Sequence, residues 1–174
     1  MTKQKFASES LVTMTEMVLP NDTNTLNNLM GGRLLHLMDI CAAITAQKHS
    51  NRVVVTASVD NVSFSAPIPL GSVVTLRSWV TRAFNSSMEV YIEVHAENIP
   101  AGERLMSNKA FYTFVAVDQL GRPIDVPAAV PQTDEEKALF DSALRRRQLR
   151  LVLAGRLKPQ DATELRALFE FENA

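Results

Sequence analysis

The stretch Gly31-Gly32-Arg33-Leu34-Leu35-His36-Leu37-Met38-Asp39-Ile40-Cys41-Ala42-Ala43-Ile44-Thr45-Ala46-Gln47-Lys48-His49 constrains the fold more than any other part of the chain. It lacks proline, and after Arg33 it is dominated by Leu, Ala, Met and Ile, which form or tolerate helix. Its apolar residues fall on every side rather than along one stripe, the pattern of a buried helix. In its middle sits one carboxylate, Asp39, between Met38 and Ile40. Burying an ionised carboxylate without a partner costs several kcal/mol, roughly, even after relaxation. Asp39 therefore has a paired structural job or lies where chemistry needs it. Gly31 and Gly32 either make a simple helix-entry turn or let the backbone approach something closely, where a helix start points free N–H groups at a negative or polarised oxygen.

Strands surround this helix in sequence. Residues 11–19 alternate imperfectly and end in the turn formers Pro20-Asn21-Asp22-Thr23-Asn24. After the helix, Val53 to Asp60 is rich in β-branched residues and too short for a helix. Residues 61–68 are expected to continue extended until Pro67 and Pro69. Val73 to Ala83 makes the next strand, Asn85-Ser86-Ser87 a hairpin tip, and Met88 to Glu97 the clearest period of two. Leu105 to Val117 is a long apolar strand, and residues 118–131 leave the sheet through prolines. The rest differs in kind. Thr133-Asp134-Glu135-Glu136 reads as a capped helix start, with Gly155 as the stop and Pro159 opening a second helix. The expected architecture is α+β: an antiparallel sheet wrapped around a central helix over residues 8–131, then a helical extension over 132–174. The open sheet edges call for a dimer or larger assembly.

Composition narrows the class of function. The formal net charge of −1 gives no general attraction to nucleic acid or to an acidic membrane surface. No apolar run reaches membrane-spanning length, and the N-terminus has no long apolar segment of the secretory type. The single Cys41 rules out an internal disulfide, fits a reducing compartment and belongs to the core. A cytoplasmic protein is expected. His36, His49 and His95 do not cluster with cysteines or carboxylates, so no metal is implied.

Several linked motifs resemble one family. Asn24, then Gly31-Gly32-Arg33-Leu34-Leu35 and Met38-Asp39, then Val55-Thr56-Ala57-Ser58-Val59-Asp60 and Phe64, are similar to the hotdog-fold acyl-CoA thioesterases of the brain-type and bacterial acyl-CoA hydrolase group. Residues 80–90 (VTRAFNSSMEV) and 111–118 (FYTFVAVD), followed by Gly121-Arg122-Pro123, resemble its later signatures. The resemblance runs from about Val12 to Pro131. It implies a hotdog fold, hydrolysis of fatty acyl-CoA to free acid and CoA, a homodimer or a hexamer built as a trimer of dimers, and no cofactor beyond the CoA of the substrate. It carries the paired functional residues onto Asn24 and Asp39. Many bacterial members have a glycine soon after that asparagine. Here Thr25-Leu26-Asn27 stands instead, which leaves Asn27 and Asn28 as further holders of the role. CoA contacts fall on Thr56, Ala57, Ser58 and Val59 and on Ser86, Ser87 and Met88, with Arg82 a nearby cation for CoA phosphates.

Thioester hydrolysis needs an activated water or a carboxylate nucleophile, together with a donor for the oxyanion. Asp39 is the expected base, the Gly32 backbone N–H at the helix dipole the oxyanion donor, and Asn24 the holder of the water or polariser of the carbonyl. Asp39 lies about 10 Å beyond Gly32 along a straight helix. The expected site is therefore composite: Asp39 of one subunit with Asn24 and Gly32 of its dimer partner. Two other classes share the fold. A non-catalytic acyl-CoA-binding or sensing protein would bind without turnover, and an intact Asn24/Asp39 pair argues against it. A dehydratase wants a histidine paired with an acid at the site, and none stands out.

Overall fold

The computed structural model describes residues 3–170; residues 1–2 at the start of the chain and 171–174 at the end of the expected extension lie outside the described residues. The chain forms two compact units, Met1–Val130 and Pro131–Ala174.

In the first unit, β1 (Gln4–Phe6), β2 (Val12–Met17), α1 (Gly31–Ser50), β3 (Val53–Asp60), β4 (Val73–Ala83), β5 (Ser87–Asn98), β6 (Glu103–Val117) and β7 (Ala128–Val130) follow in order. Five strands make one antiparallel sheet in the order β2-β4-β5-β6-β3. Its inner face carries α1. Met88, Val90, Ile92 and Val94, alternate residues of β5, are fully buried, as are Met38, Cys41, Ala42 and Ala46 of the helix. This is the period-two face of the strand meeting the helix. α1 ends where Asn51 takes a left-handed backbone (φ 53°) and donates its N–H to Gln47 O at 2.7 Å, a C-terminal stop that asparagine tolerates.

Four features of this unit lie outside what the sequence pattern gives. Residues 61–68 form no strand; they run as an irregular loop. A small parallel pair, β1 with β7, closes the unit by joining its two ends; three-residue strands are too short to show a period. The outer face of β5 is also covered in part. Glu89 and Tyr91 are buried there, with Thr81 Oγ1 donating to Glu89 Oε1 at 2.6 Å and Tyr91 packed between Trp79 and Phe111. Finally, α1 is not enclosed on all sides. Ile40 and Ile44 stay 36% and 41% exposed, and the free edge of β3 pairs with nothing in the sheet. One sheet can cover only one side of a helix, so the second apolar side remains open.

His49 fastens the end of α1. Its Nε2 donates to Pro127 O at 2.8 Å, while Nδ1 is buried without a partner among the described residues. Nearby, Lys5 Nζ donates to Lys48 O at 3.0 Å, and Lys48 Nζ donates to Leu11 O at 2.7 Å.

In the second unit, α2 (Asp134–Leu153) opens on the expected cap. Thr133 Oγ1 accepts the Glu136 N–H at 3.1 Å, and the Glu136 carboxylate accepts from Thr133 N at 3.2 Å. Gly155 follows with a left-handed backbone (φ 66°). Pro159 begins a short 3-10 turn rather than the second helix, which starts later as α3 (Thr163–Glu170). The first turn of α3 is tied to α2 by Leu165 N donating to Gln148 Oε1 at 2.9 Å. No helix among the described residues is long and apolar enough to cross a membrane.

Two outcomes follow from this packing. Leu76 is fully buried under α1, so Leu76→Ala leaves a cavity and destabilises the protein by about 2–5 kcal/mol in a denaturant titration. Burial, before any other influence, pulls the His49 pKa below its ordinary 6.5, with Lys5 acting the same way and the Pro127 bond and Glu9 opposing. The unfolded chain therefore binds this proton more readily. The stability His49 contributes is complete above about pH 6.5 and is lost as pH falls through its lower folded value. Unfolding midpoints measured from pH 8 to pH 5 are expected to fall more steeply for the native protein than for His49→Gln; parallel slopes would contradict this.

Candidate active site

Asp39 projects from the middle of α1 at the border between the buried and open sides, and it is half-buried. Thr56 Oγ1 of β3 donates to its Oδ1 at 2.8 Å. A β-bulge sets up this contact. The β3–β6 register slips between Thr56 and Ser58, leaving Ala57 as the extra residue. Thr56 then lies opposite Phe114, and Val59 opposite Tyr112, both buried on the inner side of the sheet. The bulge thus turns Thr56 and Val59 toward the helix although they are three residues apart.

Between helix and strand lies a cleft of about 630 Å³. Gly32, Leu35, His36 and Asp39 of α1 form one wall, and Val59, Val62, Phe64 and Tyr112 the other. Tyr112 was not singled out from the sequence. Its ring is buried and its hydroxyl lies 3.5 Å from Leu35 O. Burial, with a smaller push from the charge of Asp39, raises its pKa to about 12. It therefore stays a neutral phenol beside the carboxylate. Cys41 points elsewhere, 3.2 Å from Ser78 Oγ in the core, with its thiol pKa pushed up by burial. It is a packing cysteine, as expected.

The segment before α1 holds Asn24 in a fixed orientation. Its Oδ1 accepts the N–H groups of Leu26 at 2.9 Å and Asn28 at 3.2 Å. That Asx turn commits the carbonyl end of the amide and leaves Nδ2 as a donor. Asn27 takes a left-handed backbone (φ 57°). This accounts for the missing glycine, since asparagine is among the few residues that adopt this conformation readily. Asn27 thus shapes the turn, whereas Asn28 joins Asn24 on the wall of a second cleft. An ion pair ties this turn to the helix. Arg33 Nε donates to Asp22 Oδ1 at 2.8 Å, Asp22 O accepts from Met30 N at 2.9 Å, and Asp22 Oδ2 accepts from Leu19 N at 3.0 Å. The Leu19 N–H, and then Arg33, hold the Asp22 carboxyl below the usual range.

The second cleft, of about 400 Å³, is lined by Asn24, Asn28, Gly31, Leu34, Phe64 and Asn108 among others. Gly32 therefore shares a cleft with Asp39, whereas Asn24 lies in the other one, with Phe64 common to both.

The expected CoA contacts fall at one end of the sheet. Met88, Phe114 and Thr56 form a row across β5, β6 and β3, so the β4–β5 hairpin tip lies at the same end as Thr56. Phe84 N donates to Ser87 O at 2.8 Å across the tip, and Ser86 O accepts from Ala116 N at 2.9 Å. The Arg82 guanidinium stands 5.8 Å from the Phe84 ring centre. Ala57 is exposed, and the Ser58 hydroxyl is 3.5 Å from Asp60 Oδ2. Met88 is the exception: its side chain is fully buried in the core, leaving only its backbone to meet a ligand. Among the described residues no His, Cys, Asp and Glu side chains gather into a group that could hold a metal ion.

Known proteins are similar to this chain in sequence and fold. Residues 26–102 match the thioesterase superfamily. The uncharacterized acyl-CoA thioester hydrolase YkhA of Bacillus subtilis is 44% identical over 142 residues, spanning 82% of this chain and 83% of its own. An apo-hexameric acyl-CoA thioesterase superposes with a TM-score of 0.85 at 42% identity, over 87% of this chain and 97% of the other. The acyl-CoA hydrolase of Staphylococcus aureus, solved with butyryl coenzyme A, coenzyme A and coenzyme A disulfide, gives 0.81 at 36% identity, over 88% and 95%. Variants of that enzyme have been solved with an aspartate, a threonine or an asparagine replaced by alanine. A hotdog sheet carrying its central helix, together with relatives spanning most of its length, shows that the chain belongs to the thioesterase superfamily.

Proposed function

We propose that this protein is an acyl-CoA thioester hydrolase whose site joins Asp39 of one subunit to Asn24 and the Gly32 backbone N–H of its dimer partner. The observation that carries the reading is a carboxylate held by Thr56 in a cleft with apolar walls. The Thr56 bond occupies Oδ1 and leaves Oδ2 to take a proton from water. The resulting hydroxide attacks the thioester carbonyl carbon, and the carbonyl oxygen gains the charge. The first N–H groups of an α-helix have no acceptor within the helix, so Gly32 N–H is suited to that oxyanion. Asn24 Nδ2, free to donate, orients the carbonyl or the water. Collapse of the adduct breaks the C–S bond, and the proton on Asp39 goes to the departing CoA sulfur. The solved S. aureus variants alter the same three residue types as Asp39, Thr56 and Asn24.

Two observations support a site shared between subunits. Asn24 and Asp39 line different clefts of one chain, and Gly32, although it lines the Asp39 cleft, lies about 10 Å from Asp39 along the helix axis. The open side of α1, with Ile40 and Ile44, adjoins the unpaired edge of β3, an apolar strip that a second copy would cover. A dimer is the smallest assembly that completes the site. A hexamer of three such dimers matches the assembly named for one solved relative.

Thiol release from a panel of acyl-CoAs, by the native protein and by Asp39→Asn, tests the chemistry. The variant is expected to lose at least about a hundredfold in kcat with binding retained. Binding without any release by the native protein would point instead to a sensor. Subunit mixing tests the geometry. Asp39→Asn and Asn24→Ala subunits, each nearly inactive alone, are expected to regain about a quarter of native activity on random exchange, because half the dimers hold one intact site. No recovery after demonstrated exchange would place the whole site within one chain.

A further inference from the structure

The two clefts share a single apolar side chain. Phe64 lines both, and it is 54% exposed. Its ring rests on the start of α1: a Cβ added to Gly31 would lie 3.2 Å from the ring Cζ, so the glycine is the seat of the ring.

The backbone around Phe64 is pinned on both sides. Asn108 Nδ2 donates to Ser63 O, and Ser65 N donates to Ser107 O at 3.4 Å. Ser107 and Asn108 are adjacent in β6, yet both are buried. The β5–β6 register slips beside them, pairing Val94 with Asn108 and His95 with Met106, and leaves Ser107 opposite no residue. Ser107 Oγ donates to Asn108 Oδ1 at 2.6 Å, which turns the amide nitrogen toward Ser63. The loop that carries the exposed ring is therefore held.

We infer that Phe64 is the residue that limits acyl-chain length. The inference rests on the acyl-CoA hydrolase reading above. An acyl chain entering beside Asp39 runs between Leu35, Val59 and Val62, and the Phe64 ring closes the end of that cleft. With the ring on Gly31, Phe64 stands between that cleft and the further 400 Å³. Removing or turning the ring joins the two spaces and admits a longer chain.

The test measures kcat/KM for saturated acyl-CoAs from butyryl to stearoyl with the native protein, Phe64→Ala, Phe64→Leu and Phe64→Trp. Phe64→Ala is expected to raise the long-to-short ratio about tenfold, the range that a small change in an apolar pocket commands. Phe64→Leu gives an intermediate ratio and Phe64→Trp lowers it. Gly31→Ala shifts the ratio alone but not when combined with Phe64→Ala, because the two act through one contact. Unchanged ratios in well-folded Phe64 variants would overturn the inference. If the native protein releases thiol and Asp39→Asn does not, such a result sinks the role of Phe64 alone. If the native protein cleaves none of the panel, the hydrolase reading falls and this one with it.

Discussion

A single five-stranded sheet lies against one side of a twenty-residue helix that is apolar on nearly all sides. Everything distinctive about this molecule follows from that mismatch. The covered side supplies the core, with Leu34, Met38, Cys41 and Ala42 packed on β4, β5 and β6. The uncovered side keeps Ile40 and Ile44 near solvent. Asp39 sits on the boundary, where a carboxylate can reach water on one side and a threonine hydroxyl on the other. Full enclosure would have imposed the desolvation penalty of a buried ion; full exposure would have left the group without orientation.

Orientation at the other candidate group comes from the backbone. Two main-chain N–H groups bind the Asn24 carbonyl oxygen, so the amide presents its donor end. A side chain held in this way needs no rotamer search when a ligand arrives. The Asp22–Arg33 pair extends the arrangement by joining the turn to the first residues of α1. The part that donates and the helix start are thus one mechanical piece, whereas Asp39 belongs to the helix–strand contact.

Much of the fold was legible because it rests on local patterns. The β-branched run of β3 and the capping box of α2 are local signals, and β3 and β4 have the expected bounds. The rest depends on relations between distant residues. The sequence pattern of α1 reports that its surface is apolar, but not what covers it. The role of Thr56 depends on a bulge at Ala57, and that bulge exists only through the register with β6. Tyr112 reads as one apolar strand residue among many until its position opposite Val59 brings it beside Asp39. The left-handed turn at Asn27 had a local signal, an asparagine in place of a glycine, and only the backbone angle explains it.

The parallel pairing of β1 with β7 bears on how the chain is made. Gln4 pairs with Ala128 and Phe6 with Val130, so β1 leaves the ribosome well before the strand it pairs with. Contacts this distant in sequence carry the largest loop-closure entropy and slow the approach to the folded state. The carbonyl of Pro127, the acceptor for His49 at the end of α1, emerges only just before residues 128–130. The unit therefore locks only after its synthesis is complete, and the same few residues that finish it are the ones that hand the chain on to α2.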